Sequence, residues 1–233
     1  MFFDYTYLVL VMPAVLFALW ASSRVNSTFR RYQQQHSRRG VTGADAARAV
    51  LDANGLYNVR IEHVSGNLTD HYDPRDNVIR LSDGVYNNTS TAAIGVAAHE
   101  AGHAIQYATD YAPIRVRTAI LPISSLGSKL ALPLVLIGLI FMYYSEAFVN
   151  VAYAGIICFA LATLFQLVTL PTEFNASHRA LAAIRAGNLL DDEEMEGARK
   201  TLSAAALTYV AALAVSLAQL LRLLILVSGR RRD

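Results

Sequence analysis

His99 and His103 stand four residues apart with Glu100 between them, in the run Val96-Ala97-Ala98-His99-Glu100-Ala101-Gly102-His103-Ala104-Ile105-Gln106. On an α-helix, positions four apart share a face, so two imidazoles can reach one divalent ion while Glu100 projects beside them. This is the zincin spacing. Imidazoles hold zinc, and a neighbouring carboxylate takes a proton from the water that zinc activates. The residues around the pair are uncharged, as a buried metal-bearing helix requires, whereas two ordinary histidines on a helix are the plain alternative. Two imidazoles and a carboxylate would also hold other divalent ions.

A catalytic zinc normally takes three protein ligands and keeps one position open. No histidine follows between Gln106 and Arg117, so a carboxylate on a second helix is the better expectation. Pro171-Thr172-Glu173-Phe174-Asn175-Ala176-Ser177 reads as the start of such a helix, with Glu173 in its first turn. There Glu173 is either the third ligand or an acidic charge that favours the helix N-terminus. His178 is a rival ligand or a transition-state donor, set against the commoner surface histidine. His36, His63 and His71 read as surface or satisfied residues.

Thr42 is a suitable N-cap for a helix through Ala53, with Gly55 beyond its end. Val59 to Val64 alternates like a strand, and a second strand, Asn77 to Leu81, follows the Asp73-Pro74 break. The Asn77 to Leu81 strand is a candidate edge to which an extended peptide could add. Asn88, Thr89 or Ser90 can cap the helix Thr91 to Ala108, which carries the histidines.

This polar part, residues 25–118, lies among apolar runs. Of the 233 residues, 54% are hydrophobic and only 16% charged, which favours membrane spans joined to a small domain. A span needs about 20 mostly apolar residues. Tyr5 to Ser22 meets this and reads as a retained anchor, with Tyr7 and Trp20 at the interfaces. Leu121 to Tyr144 and Val149 to Leu170 read as a transmembrane hairpin, with Lys129 snorkelling so that the spanning part starts near Leu130. Residues 171–200 follow as the helix bearing Glu173, and Leu202 to Val227 is a fourth apolar segment, interrupted by Gln219 and Arg222. Arg24, Arg30, Arg31, Arg38 and Arg39 all follow the first span, which predicts a cytoplasm-facing domain in a multi-pass cell-membrane protein. Arg230, Arg231 and Arg232 disagree with that orientation if the last segment crosses. The single Cys158 lies in an apolar run and excludes an intramolecular disulfide, while a net charge of +2 gives no reason to expect a nucleic-acid partner.

The runs Asp70-His71-Tyr72-Asp73-Pro74-Arg75, Val96 to Gln106, Glu173 to Ala180 and Ala204-Ala205-Ala206-Leu207-Thr208-Tyr209-Val210 resemble the YugP family of membrane zinc peptidases, over nearly the whole chain. The order of elements is also similar to HtpX and the CAAX prenyl proteases. This resemblance implies a mainly α membrane protein with a small α+β zincin-like domain of minigluzincin type and a short β-sheet. It further implies Glu173 as third ligand beside His99 and His103. The family pattern is usually acidic at position 175 and not histidine at 178, whereas this chain has Asn175 and His178.

The expected function is zinc-dependent hydrolysis of peptide bonds, with Glu100 as general base and His178, Arg179 or Tyr72 as further donor to the oxyanion. Substrates would be peptides or membrane proteins. A zinc-binding membrane protein without hydrolytic activity, in an assembly or regulatory role, is the competing class. Its structural site would have no use for Glu100. A channel or transporter would need polar or charged residues along its spans; the hairpin has almost none beyond Lys129 near its start, and Arg222 and Gln219 in the last segment keep the idea open.

Overall fold

The computed structural model describes residues 5–229, so the Arg230 to Arg232 cluster falls outside the described part. The chain is mainly helical. A π-helical stretch, Tyr7–Val11, runs into α1 (Met12–Tyr32), followed by α2 (Gly43–Ala53) and three short strands, β1 (Arg60–His63), β2 (His71–Asp73) and β3 (Val78–Leu81). Then come α3 (Thr91–Ala108), α4 (Ala112–Phe141), α5 (Ala147–Ala186) and α6 (Asp192–Gly229). The chain divides into two compact units: one comprises residues 22–115 and 171–207, the other the apolar stretches up to Ala21, Val116–Leu170 and from Thr208 onward.

In the first unit, local chemistry sets the helix starts. Thr42 and Asp45 form a reciprocal capping box on α2, and Gly55 past its end takes a φ of +73°, a left-handed conformation that glycine adopts without strain. Ser90 caps α3 by accepting from the Ala93 amide. The sheet order is β1-β3-β2, with β1 parallel and β2 antiparallel to β3. The expected Asn77 to Leu81 edge is therefore corrected: β3 is the central strand, paired on both sides, and β2 is an edge. Its buried Val78, Ile79 and Leu81 explain this, since a strand with such side chains belongs in the middle of the core. Ile79 and Leu81 pack with Val50, Leu51, Ile94 and Ile184 in one cluster. Burying each such side chain contributes about 1.5–3 kcal/mol.

Two expectations about the later helices are also corrected. Pro171 does not begin a helix; it lies inside the 40-residue α5, so Glu173 sits in mid-helix rather than in a first turn. A proline inside a helix removes one backbone hydrogen bond, and the long helix absorbs that loss. Nor does one helix run from 171 to 200, because α5 ends at Ala186 and α6 starts at Asp192. The new start is a second capping box, in which the Glu194 amide donates to Asp191 Oδ1 at 2.8 Å and the Asp191 amide donates to Glu194 Oε2 at 3.0 Å. Arg38 anchors the segment after α1 to this start through Asp191 and Glu193.

The second unit consists of apolar helix. Among the described residues, four helices are long and apolar enough to cross a membrane, and in their most apolar windows only 11–28% of residues are buried within the protein. Side chains such as Leu121, Ile123 and Leu132 therefore point outward, as lipid-facing residues do in a membrane protein. Where helices meet, small residues allow it: a Cβ on Gly155 would lie 2.7 Å from the Val135 backbone nitrogen, so α4 and α5 touch through their backbones. Arg222 in α6 has its guanidinium 5.3 Å from the centre of the Tyr7 ring and Nη1 3.5 Å from Gln219 Oε1.

Candidate metal centre

The centre is assembled in the first unit, on α3 and on the part of α5 from Pro171 onward. Helix α3 is buried along almost its whole length, so its polar residues must find partners inside the protein. It meets α5 at Gly102, where an added Cβ would lie 2.6 Å from the Ala176 carbonyl oxygen. Only glycine permits that approach. It sets Glu173, one turn before Ala176, against the two imidazoles. Glu173 Oε2 is 3.3 Å from His99 Nε2 and 3.5 Å from His103 Nε2. The three residues offer ligand atoms that all lie within 4.8 Å of one another.

The outer nitrogens are also engaged. His103 Nδ1 is 3.0 Å from Gln106 Oε1. Gln106 spends its own NH2 on the Thr172 carbonyl at 2.7 Å and on Asn175 Oδ1 at 3.0 Å. Its oxygen therefore has to accept, Nδ1 has to carry the proton, and the lone pair of His103 is left on Nε2, facing Glu173. His99 Nδ1 lies 3.0 Å from Ser177 Oγ, which can accept in the same way. Asn175 continues the network by accepting from Arg179 Nε at 2.8 Å. Sequence reasoning missed Gln106 and Ser177 as supports, although each stands one helical turn from a candidate ligand, Gln106 after His103 and Ser177 after Glu173.

Electrostatics follow from crowding. Burial alone would raise the Glu173 carboxyl, but His103 and His99 hold it below the ordinary carboxylate range. Burial would likewise depress His103, yet Glu173 and Glu100 beside it raise the imidazole. Two Nε2 atoms and a carboxylate oxygen, buried, convergent and fixed from behind, fit the donor set of a zinc site.

Glu100 is 8% exposed, and its Oε2 accepts the Tyr72 amide at 2.9 Å. In the β2–β3 register Tyr72 stands opposite Ile79, and its amide points away from β3 towards Glu100. The edge strand therefore borders the centre. The Tyr72 hydroxyl donates to Asn77 Oδ1 at 2.9 Å, and its ring lies 5.6 Å from that of Tyr107. Asp70, near Glu100, is raised by burial although Ser82 donates to both of its oxygens.

His178 is not brought into this cluster. It is exposed, and five residues along α5 place it about 140° around the helix from Glu173. His36, His63 and His71 are exposed, with Thr89, Asp83 and the Thr69 carbonyl as partners.

The model of a family described as "Putative neutral zinc metallopeptidase" matches residues 7–228. The chain belongs to this zinc metallopeptidase family. A protein of Bacillus subtilis (strain 168) described as "Putative membrane protease YugP" is 44% identical over 225 residues, covering 96% of this chain and 98% of that protein. The metallopeptidase match takes in both α3 and α5, so all the site residues fall inside it. No solved structure matches the chain.

Proposed function

We propose that the chain is a membrane-embedded, zinc-dependent endopeptidase in which His99, His103 and Glu173 hold the metal and Glu100 is the general base. The observation that carries this reading is the position of Glu100. It lies on the same buried helix as the two imidazoles and is tied to the outward amide of an edge strand. When bound, zinc would polarise a peptide carbonyl and lower the pKa of water towards ~7. Glu100 takes the proton from the attacking water and passes it to the departing amide nitrogen. Gln106 and Ser177 keep Nε2 of each histidine turned inward.

Strand addition, expected at β3, belongs to β2. With the Tyr72 amide held by Glu100, the carbonyl of Tyr72 is the outward backbone group that an extended peptide would pair with. Tyr72→Pro breaks the edge and also removes the amide that Glu100 accepts, so it should lower kcat as well as raise KM while zinc content is unchanged; an unchanged KM argues against strand addition. Substrates are peptides or membrane-protein segments near the bilayer, and nucleic acid has no role. The apolar helices hold the chain in the cell membrane, and the arginines after the first of them favour a centre on the cytoplasmic side.

Hydrolysis of casein or a peptide by the purified, detergent-solubilised protein tests the reading. Activity should disappear on chelation, return with zinc and be absent in Glu100→Gln. His178→Ala should stay within a few-fold of the wild type, because a missing proton donor would remove about 10²–10⁴-fold. A wild type that holds zinc but cleaves nothing, and that cannot be told from Glu100→Gln, would favour the non-hydrolytic assembly or regulatory role.

A further inference from the structure

A second feature of the zincin-like unit involves none of the residues of the metal centre. The ends of α1 and α6 that belong to this unit enclose a groove of about 400 Å³. Its lining includes three cations, Arg24, Arg31 and Lys200, and no carboxylate. Ser27, Thr28 and Ser203 add hydroxyls, and Leu207 adds apolar surface. Arg24 and Arg31 are seven residues apart on one helix and so share a face. Arg31 forms no ion pair among the described residues; its guanidinium rests 5.5 Å from the Tyr32 ring centre. Lys200 is 3.1 Å from Glu196, so part of its charge is already answered.

Both walls continue, without a break in the helix, into apolar sequence: α1 is apolar up to Ala21 and α6 from Leu202 onward. At ~1.5 Å of rise per residue, Arg24 lies about 5 Å along the axis from Ala21. The polar layer on each side of the hydrocarbon is roughly 5–8 Å thick, so this is headgroup depth.

We propose that this groove binds the phosphate of an anionic phospholipid. Arg24 and Arg31 each offer a planar fork of donors that matches phosphate oxygens, and the hydroxyls can complete the shell. Leu207 offers the start of an acyl chain an apolar surface. A zwitterionic lipid would bring its own ammonium against three cations, which selects for a headgroup with net negative charge. The apolar wall, and the nearness of the apolar runs, select a lipid rather than free phosphate. The proposal does not depend on the peptidase reading.

The test is titration of the detergent-solubilised full chain with phosphatidylglycerol, phosphatidylcholine or inorganic phosphate, with bound lipid counted by native mass spectrometry. One phosphatidylglycerol per chain should bind in preference to phosphatidylcholine, undisturbed by millimolar inorganic phosphate. Arg24→Gln/Arg31→Gln should weaken it on the order of thirtyfold, as two juxtamembrane cations would. Ser203→Glu, which puts a carboxylate in the groove, should weaken it comparably. Arg30→Gln/Arg39→Gln removes the same charge elsewhere and should leave binding unchanged. Equal loss in that control pair, no loss in the groove variants, or displacement by inorganic phosphate would overturn the proposal.

Discussion

His99, Glu100 and His103 were legible because the chemistry they need is local: two ligands and a base within five residues of one helix. Glu173 was different. Its position in the chain left it equally well explained as a helix-end charge, and only the resemblance to a family singled it out. The structure removes the helix-end explanation, since Glu173 is in the middle of α5 and faces both imidazoles. Gln106 and Ser177 were missed because amides and hydroxyls on helices are common, and their role appears only when a second helix closes on the first. That role has a measurable consequence. Ser177→Ala and Gln106→Met should each lower zinc affinity by about 10–100-fold while the chain still folds, as loss of a ligand's outer hydrogen bond generally does. Competition against a chromophoric chelator measures this, and affinities equal to the wild type would show that neither residue orients its histidine.

At the scale of elements, helix starts with side-chain caps were readable and the course of the long helices was not. Thr42 and Ser90 announce α2 and α3 by residue type. Asp191 and Glu194 carried an equally plain signal that the expectation of one helix over 171–200 passed over. Pro171 misled because proline favours a first turn, but α5 continues through it. The strand order was hidden for another reason: β2 has only three residues, too few for a periodic pattern, and its pairing is decided by contacts distant in sequence. The element contact on which the centre most depends is α3 against α5 at Gly102. Gly102→Ala puts a methyl group against the Ala176 backbone and should destabilise the protein by about 1–3 kcal/mol, as overpacking does. The variant should also lose zinc, because Glu173 can no longer approach the imidazoles. A thermal midpoint and a zinc content both at wild-type values would mean that the close approach is not needed.

For the molecule as a whole, composition revealed the membrane character at once, since the apolar runs are long and their faces stay uncovered by protein. Orientation is a matter of charge placement and makes its own prediction. In a Cys158→Ser background, the chain has no other cysteine. A cysteine at Ser145, between α4 and α5, should react with an impermeant maleimide added to intact cells. One at Arg199, in the zincin-like unit, should react only after permeabilisation. The reverse pattern would place the centre on the outer side.

The most direct test of the central claim is zinc per chain, measured by elemental analysis after dialysis, in the wild type, Glu173→Ala and Glu100→Gln. Zinc ligation by Glu173 predicts close to one zinc in the wild type and in Glu100→Gln, and close to none in Glu173→Ala. Full zinc in Glu173→Ala would contradict it, because the carboxylate between the two histidines would then not be a ligand.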